Sequence, residues 1–142
     1  MTDNYDKLIA ESGGLDLTIL GIGGNGHIAF NEPGTCPRSW THCTWLNQST
    51  RVANQDSFGD LTQVPTKGVT MGLSTILESR WIILMASGDK KQEIIERAFQ
   101  GPVTVEIPAS LLKRHPRTDV WTDFSPDFSF PNDSSQTATV SL

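Results

Sequence analysis

Three things are scarce in this sequence: cysteine, positive charge and long hydrophobic runs. Its 142 residues include two cysteines, Cys36 and Cys43, too few for a disulfide framework. Lysine and arginine number 11 against 16 aspartates and glutamates, and the net charge of -5 disfavours binding to the phosphate backbone of nucleic acids. No apolar run approaches the roughly 20 residues that a membrane-spanning helix needs, and the polar first residues are unlike a signal peptide. We therefore expect one cytoplasmic domain that binds neither nucleic acid nor a membrane.

The hydrophobic pattern alternates between short apolar runs and amphipathic segments, which predicts strands separated by helices. Residues 33–48 carry many turn-forming residues and predict a long loop, and residues 50–68 show little periodicity. Strands joined through helices favour right-handed crossovers and a parallel sheet, an α/β fold class. The predicted strands are 15–20, 81–86 and 120–121, and the predicted helices are 5–11, 72–79, about 89–100 and 108–114.

The most informative segment is residues 21–34, which read GIGGNGHIAFNEPG and follow the first predicted strand. It places His27 and Glu32 five residues apart at the carboxyl end of a strand, where open α/β sheets bind their ligands. Histidine titrates near neutral pH and can both accept and donate a proton. We therefore expect His27 to be catalytic, with Glu32 fixing its tautomer and Asn25 close by.

The glycines in this segment also fit a dinucleotide-binding pattern, which we consider a poor match. That pattern needs a helix opening on its third glycine, whereas Pro33 and Gly34 would break any helix that starts there. It also needs an acidic residue about 20 positions on, and residues 41–49 contain none. We expect instead that the glycines let the backbone approach a small ligand, and we predict no cofactor.

A metal site was the other chemical alternative. His27, Cys36, His42 and Cys43 are potential zinc ligands, but their spacings match no compact zinc module. We therefore predict no metal.

Residues 25–33 closely resemble the signature of the glucosamine-6-phosphate deaminase (isomerase) family, Asp/Asn-Gly-His-Ile-Ala/Gly-Phe-Asn-Glu-Pro, without a gap. The resemblance continues more weakly through 70–73, 87–91 and 107–116, and covers roughly residues 13–122. It implies a partial Rossmann-like three-layer domain over residues 1–123, with parallel strands and flanking helices, that corresponds to the second half of the family's fold only. Residues 124–142 lack periodicity, and we expect a disordered tail there.

The resemblance also implies roles for single residues. His27 corresponds to the residue that opens the pyranose ring, Glu32 to its carboxylate partner, and Lys91 to the lysine that reaches the substrate phosphate. Asn25 stands where some members carry aspartate, and Asp56 stands where the family uses a phosphate-binding arginine. The remaining candidates for contact with substrate are Gly23, Gly24, Gly26 and Asn31, of which Asn31 has loop capping as an equal alternative.

The implied reaction converts an amino-sugar 6-phosphate into fructose 6-phosphate and ammonia, in amino-sugar catabolism. In the family, an aspartate base and a threonine/glycine-rich phosphate loop belong to the first half, which this sequence does not match. We therefore expect a deaminase-like chain that is inactive alone, or one that works with a complementing N-terminal half or as a homo-oligomer. A non-catalytic sugar-phosphate-binding module, a galactosamine-6-phosphate deaminase and a 6-phosphogluconolactonase-like enzyme remain alternatives.

Overall fold

The computed structural model describes residues 3–125, which form four α-helices and five strands. None of these helices is long and apolar enough to cross a membrane. Short 3-10 helices at Gln55–Ser57, Asp89–Lys91 and Pro108–Arg114 lie between the main elements. In chain order the elements are α1 (Asp3–Glu11), β1 (Thr18–Gly21), β2 (His42–Trp45), α2 (Gln48–Asn54), β3 (Lys67–Thr70), α3 (Leu73–Leu77), β4 (Ile82–Ala86), α4 (Gln92–Gln100) and β5 (Thr118–Thr122).

The main sheet contains three parallel strands in the order β1-β4-β5. The central strand β4 pairs with both neighbours, and its residues Ile82 and Leu84 are fully buried. Such a strand reads as a nearly continuous apolar run because it has neighbours on both sides and packing on its faces. The α/β class and the parallel sheet with flanking helices are confirmed.

One face of this sheet carries the hydrophobic core. Leu20, Leu84 and Val120 pack there in one cluster with α4. Four apolar positions on one side of α4 are buried. Burying an isoleucine or phenylalanine side chain stabilises the fold by about 1.5–3 kcal/mol. The buried residues of α4 are Ile94, Ile95, Ala98 and Phe99.

The opposite face of the sheet is partly exposed. Ile19 is 61% exposed and Met85 is 47% exposed, and Met85 pairs with Gly21, two residues after Ile19. Alternation along the strand also puts Leu17, 41% exposed, on this side. Parallel sheets are usually covered on both faces, so the exposure of these three apolar side chains is unusual. We call Leu17, Ile19 and Met85 the open sheet face.

A second, two-stranded sheet corrects the sequence prediction. β2 pairs antiparallel with β3, with Cys43 opposite Val69, so the predicted loop over residues 33–48 was wrong at β2. Helix α2 overlaps the start of residues 50–68 and strand β3 overlaps their end, although no regular element was predicted there. β2 and β3 are only four residues long, and α2 buries Thr50 alone, so none of them has a readable apolar pattern. β1 begins at Thr18, three residues later than predicted.

The chain after β5 was predicted to be a disordered tail. Residues 126–142 of that predicted tail lie outside the described residues. Phe124, at its beginning, is 9% exposed and belongs to the core cluster.

Candidate active site

The glycine-rich segment leaves β1 at Gly21 and turns back on itself. Gly23 N–H donates to His27 O, and Gly26 N–H donates to Gly23 O. Gly26 has φ +86°, and a Cβ there would lie 2.7 Å from a methyl of Ile107. Ile28 is fully buried in the core. The turn therefore needs glycine at position 26, and Ile28 anchors the segment to the sheet.

His27 lies directly over Gly23. A Cβ built on Gly23 would be 2.1 Å from Cε1 of the imidazole, far inside van der Waals contact. The absence of a side chain at this position is therefore what makes room for the ring.

Asn25 determines which nitrogen of His27 carries the proton. Its Nδ2 donates to Glu32 Oε2 at 2.8 Å, so its Oδ1 faces the other way and lies 2.7 Å from His27 Nδ1. An amide oxygen only accepts, and Nδ1 must therefore be protonated. Nε2 then carries the lone pair, and it has no hydrogen-bond partner within residues 3–125. Glu32 was expected to fix this tautomer. Its Oε2 is 3.6 Å from Nδ1, and the hydrogen bonds between the two side chains pass through Asn25.

Glu32 is 5% exposed and sits at the centre of a hydrogen-bond network. Thr50 Oγ1 donates to its Oε1 at 2.5 Å, and Asn47 donates through its backbone N–H at 3.2 Å and Nδ2 at 3.1 Å. Burial alone would raise the pKa of Glu32, but the donors Thr50, Asn25 and Asn47 outweigh it and lower that pKa below its usual value. The carboxylate stays ionised.

Burial has the opposite consequence for His27. Its pKa is lowered chiefly by removal from water, with the Glu32 charge raising it and the Lys91 charge lowering it further. The ring is therefore neutral at neutral pH. A neutral imidazole with a free Nε2 can act as a general base.

An open cavity of about 740 Å³ lies in front of His27. Lys91 stands at its edge, on the 3-10 turn before α4, and its Nζ donates to Ile22 O at 2.7 Å. The described residues that line this cavity include no aspartate or glutamate. They are Gly21, Ile22, Gly23, Gly24, Asn25, His27, Ala29, Ser49, Thr50, Ala53, Asn54, Lys90 and Lys91.

The structure brings most of the predicted site residues together, with two exceptions. Asn31 is fully buried away from the cavity, and its Nδ2 donates to Ile28 O and Met71 O, which stabilises the loop. Gly26 supports the turn from behind and does not line the cavity. Asp56, which was not a predicted site residue but stands where the family has an arginine, is exposed on the Gln55–Ser57 turn. It also lies outside the residues that line the cavity.

Sequence reasoning missed the contribution of α2. This helix lines the cavity with Ser49, Thr50 and Asn54, and Asn47 just before it binds Glu32. The polar sequence of α2 resembles an exposed loop. The one available signal is that a buried carboxylate such as Glu32 needs hydrogen-bond donors, which the sequence around His27 does not fully supply.

No group of three histidine, cysteine or acidic side chains that could hold a metal ion is found in residues 3–125. Cys36 and Cys43 are both exposed free thiols.

Comparison with known proteins places these features in a family. A model described as glucosamine-6-phosphate isomerases/6-phosphogluconolactonase matches residues 1–121. The chain is 50% identical over 113 residues to a glucosamine-6-phosphate deaminase of Lachnoclostridium phytofermentans, which covers 80% of this chain and 48% of that relative. It is 46% identical over 121 residues to a glucosamine-6-phosphate deaminase of Halalkalibacterium halodurans, covering 85% and 49%. The chain thus spans about half the length of the curated relatives it matches.

Solved structures show the same fold and the same partial coverage. A monomeric glucosamine-6-phosphate deaminase superposes with a TM-score of 0.83 at 42% identity, over 85% of this chain and 50% of its own. A 6-phosphogluconolactonase from Trypanosoma cruzi superposes with a TM-score of 0.61 at 22% identity, over 86% and 48%. The second likeness concerns the fold alone.

Proposed function

The chain belongs to the family of glucosamine-6-phosphate isomerases and 6-phosphogluconolactonases, and we propose that it carries the ring-opening half of a glucosamine-6-phosphate deaminase site. The observation that carries this proposal is the 2.7 Å contact between His27 Nδ1 and Asn25 Oδ1 in a ring that lines the cavity. From this contact we infer a proton on Nδ1 and a lone pair on Nε2. The deaminase names of relatives at 46–50% identity support the substrate.

Ring opening requires one proton to leave the anomeric hydroxyl and one to reach the ring oxygen. Nε2 of His27 accepts the first proton, and the resulting imidazolium donates a proton to the ring oxygen as the bond from that oxygen to the anomeric carbon breaks. Asn25 Oδ1 and the ionised Glu32 behind it stabilise the imidazolium while it exists. The histidine is neutral again at the end of the step.

The positive charge of the cavity lining is what suits the substrate phosphate. Lys91 and its neighbour Lys90 both line the cavity, and an ammonium group beside the start of a helix suits a phosphate. Gly24 presents open backbone there, since no atom lies within 4 Å of a Cβ placed on it. Because Asp56 replaces the expected arginine, Lys90 and Lys91 carry the positive charge of the site.

The later steps need a base that moves a proton between C2 and C1, followed by hydrolytic loss of the amine. The described cavity lining has no carboxylate for this, and the chain spans about half the length of its relatives. We therefore propose that a complementing polypeptide, equivalent to the remaining half of such a deaminase, supplies the base. The exposed side chains Ile19 and Met85 of the open sheet face are where it would pack. Catabolism of amino sugars in the cytoplasm fits this role.

The same lack of a base favours a second candidate, a sugar-phosphate-binding module without turnover. The two candidates differ in ammonia release. We expect none from the chain alone, and release from glucosamine 6-phosphate after mixing with the unmatched half of a curated deaminase. The variant His27→Ala with the same partner should release none.

Binding without ammonia release in the mixture would establish the module instead. Running the ammonia assay in parallel with galactosamine 6-phosphate distinguishes the sugar epimers, and acid release from 6-phosphogluconolactone tests the lactonase alternative. A homo-oligomer that completes its own site would release ammonia without any added half.

A further inference from the structure

We propose that Thr50 is a positioning residue for His27: through Glu32 and Asn25 it holds the imidazole in the tautomer with the proton on Nδ1. This inference rests on the proposed function, because the free Nε2 matters only if His27 handles protons. Thr50 lies in α2, 23 residues from His27 along the chain, and 2% of it is exposed.

The single proton of the Thr50 hydroxyl is committed to Glu32. Oγ1 lies 2.5 Å from Glu32 Oε1 and 3.4 Å from His27 Nδ1. An ionised carboxylate can only accept, so the hydroxyl donates to Glu32 and presents lone pairs alone towards His27. A hydroxyl free to turn would instead donate to Nδ1 and move the imidazole proton to Nε2.

Thr50 and Asn47 together fix the orientation of the carboxylate. With Oε1 held by Thr50 and the Asn47 N–H, the other oxygen, Oε2, faces the Asn25 amide at 2.8 Å. That contact, together with the His27 backbone N–H, which donates to Asn25 Oδ1 at 3.1 Å, turns Asn25 Oδ1 towards His27. If the carboxylate rotates, the Asn25 amide keeps only the bond from the His27 backbone N–H to hold its orientation. An amide that then flips offers Nδ2 to His27, which again leaves Nδ1 unprotonated.

The test is the nitrogen-15 NMR signature of His27 in the chain without substrate. Protonated and unprotonated ring nitrogens have widely separated shifts, and the variant His27→Gln identifies which of the three histidines gives each signal. We expect the protonated shift at Nδ1 in the unaltered chain. In Thr50→Val the two shifts should converge or exchange, and Thr50→Ser should restore them.

Thr75→Val is the matched control. Thr75 is 4% exposed and also donates from its hydroxyl to a carboxylate, Asp6 Oδ1 at 2.6 Å. It should lose comparable stability without any change in the His27 shifts. If Thr50→Val keeps the original His27 shifts, or if Thr75→Val changes them equally, Thr50 is only structural and the inference is wrong.

A second variant covers the case in which Thr50→Val does not fold. Asn47→Ala removes the Nδ2 contact to Glu32 at 3.1 Å and retains the backbone N–H. It should move the His27 shifts in the same direction but less, and unchanged shifts in a folded Asn47→Ala would overturn the inference. Because no substrate is present, a missing effect here is distinct from a missing deaminase activity.

Discussion

At the scale of single residues, His27 and Glu32 make the stability of the chain sensitive to acid. The pKa of His27 is lowered by burial, and the pKa of Glu32 is lowered by its hydrogen bonds despite burial. An unfolded histidine takes up its proton near pH 6.5, whereas the folded His27 resists it. Folding is therefore favoured fully above about pH 6.5 and less as the pH falls, and Glu32 adds a second loss below about pH 4.3.

We predict that the free energy of unfolding of the unaltered chain falls between pH 7 and pH 5 more steeply than that of His27→Gln. One proton limits the extra slope to about 1.4 kcal/mol per pH unit. Urea unfolding at several pH values measures it. Parallel curves for the two proteins would mean that the burial of His27 does not affect its protonation.

The contact between Gly23 and His27 gives a second prediction at this scale. In Gly23→Ala the new methyl would lie 2.1 Å from the imidazole, so the ring must leave its place. We expect a loss of about 1–3 kcal/mol of stability, as for other overpacked sites, and a changed His27 NMR signal.

Gly24→Ala is the matched control, since nothing lies within 4 Å of a Cβ on that neighbouring glycine. Its stability should stay within about 0.5 kcal/mol of the unaltered chain. Equal effects of the two substitutions would contradict the placement of the ring over Gly23.

Sequence reasoning found one half of the residue network and missed the other. His27, Asn25 and Glu32 lie within eight residues of one another in a motif whose types suit proton transfer. Asn47 and Thr50 reach Glu32 from 15 and 18 residues away, at the start of and within a helix that has no apolar stripe. A long-range hydrogen bond leaves no periodic trace, and only the folded arrangement reveals it.

At the scale of elements, α1 is tied to two distant parts of the chain through one carboxylate. Asp6 accepts from the backbone N–H and hydroxyl of Thr41 and from the hydroxyl of Thr75, at 2.6–2.8 Å. Desolvation opposes the charge, but these hydrogen bonds lower the pKa of Asp6 below its usual value. The first helix is thereby joined to α3 and to the start of β2.

We predict that Asp6→Asn, which lacks the charge and one acceptor, destabilises the chain by about 1–3 kcal/mol and speeds hydrogen exchange in α1. Glu11→Gln on the same helix is the control, because Glu11 is exposed and makes only a surface pair with Lys7, worth little. Exchange that rises equally in both variants would show that Asp6 does not dock the helix.

The predictability of each element depended on its burial. β1, β4 and α4 were predictable because apolar runs or stripes recur at the period of a strand or helix. β2 and β3 consist mostly of exposed and half-buried positions, with Thr70 alone buried, and they pair across more than 20 residues. Their stability comes from each other, so neither segment carries a local signal.

At the scale of the whole molecule, the open sheet face exposes apolar side chains that a parallel sheet usually buries. Ile19 is 61% exposed on the edge strand β1, and an exposed apolar edge strand favours association with another chain. We predict that Ile19→Lys prevents the unmatched half of a deaminase from restoring ammonia release, because a buried ammonium would remain unpaired.

Val69→Lys serves as the control, since Val69 is 64% exposed but belongs to the second sheet. It should leave the restored ammonia release unchanged. Loss of release in both variants, or in neither, would place the complementing half elsewhere.

The central claim is that His27 opens the sugar ring, and exchange between the α and β anomers of glucosamine 6-phosphate measures this step alone. Exchange requires only ring opening and closure, so it needs no base from a second polypeptide. Magnetisation-transfer NMR with saturating substrate should show that the chain accelerates the exchange and that His27→Gln removes the acceleration. Exchange that the chain does not change, or that His27→Gln accelerates equally well, would contradict the account.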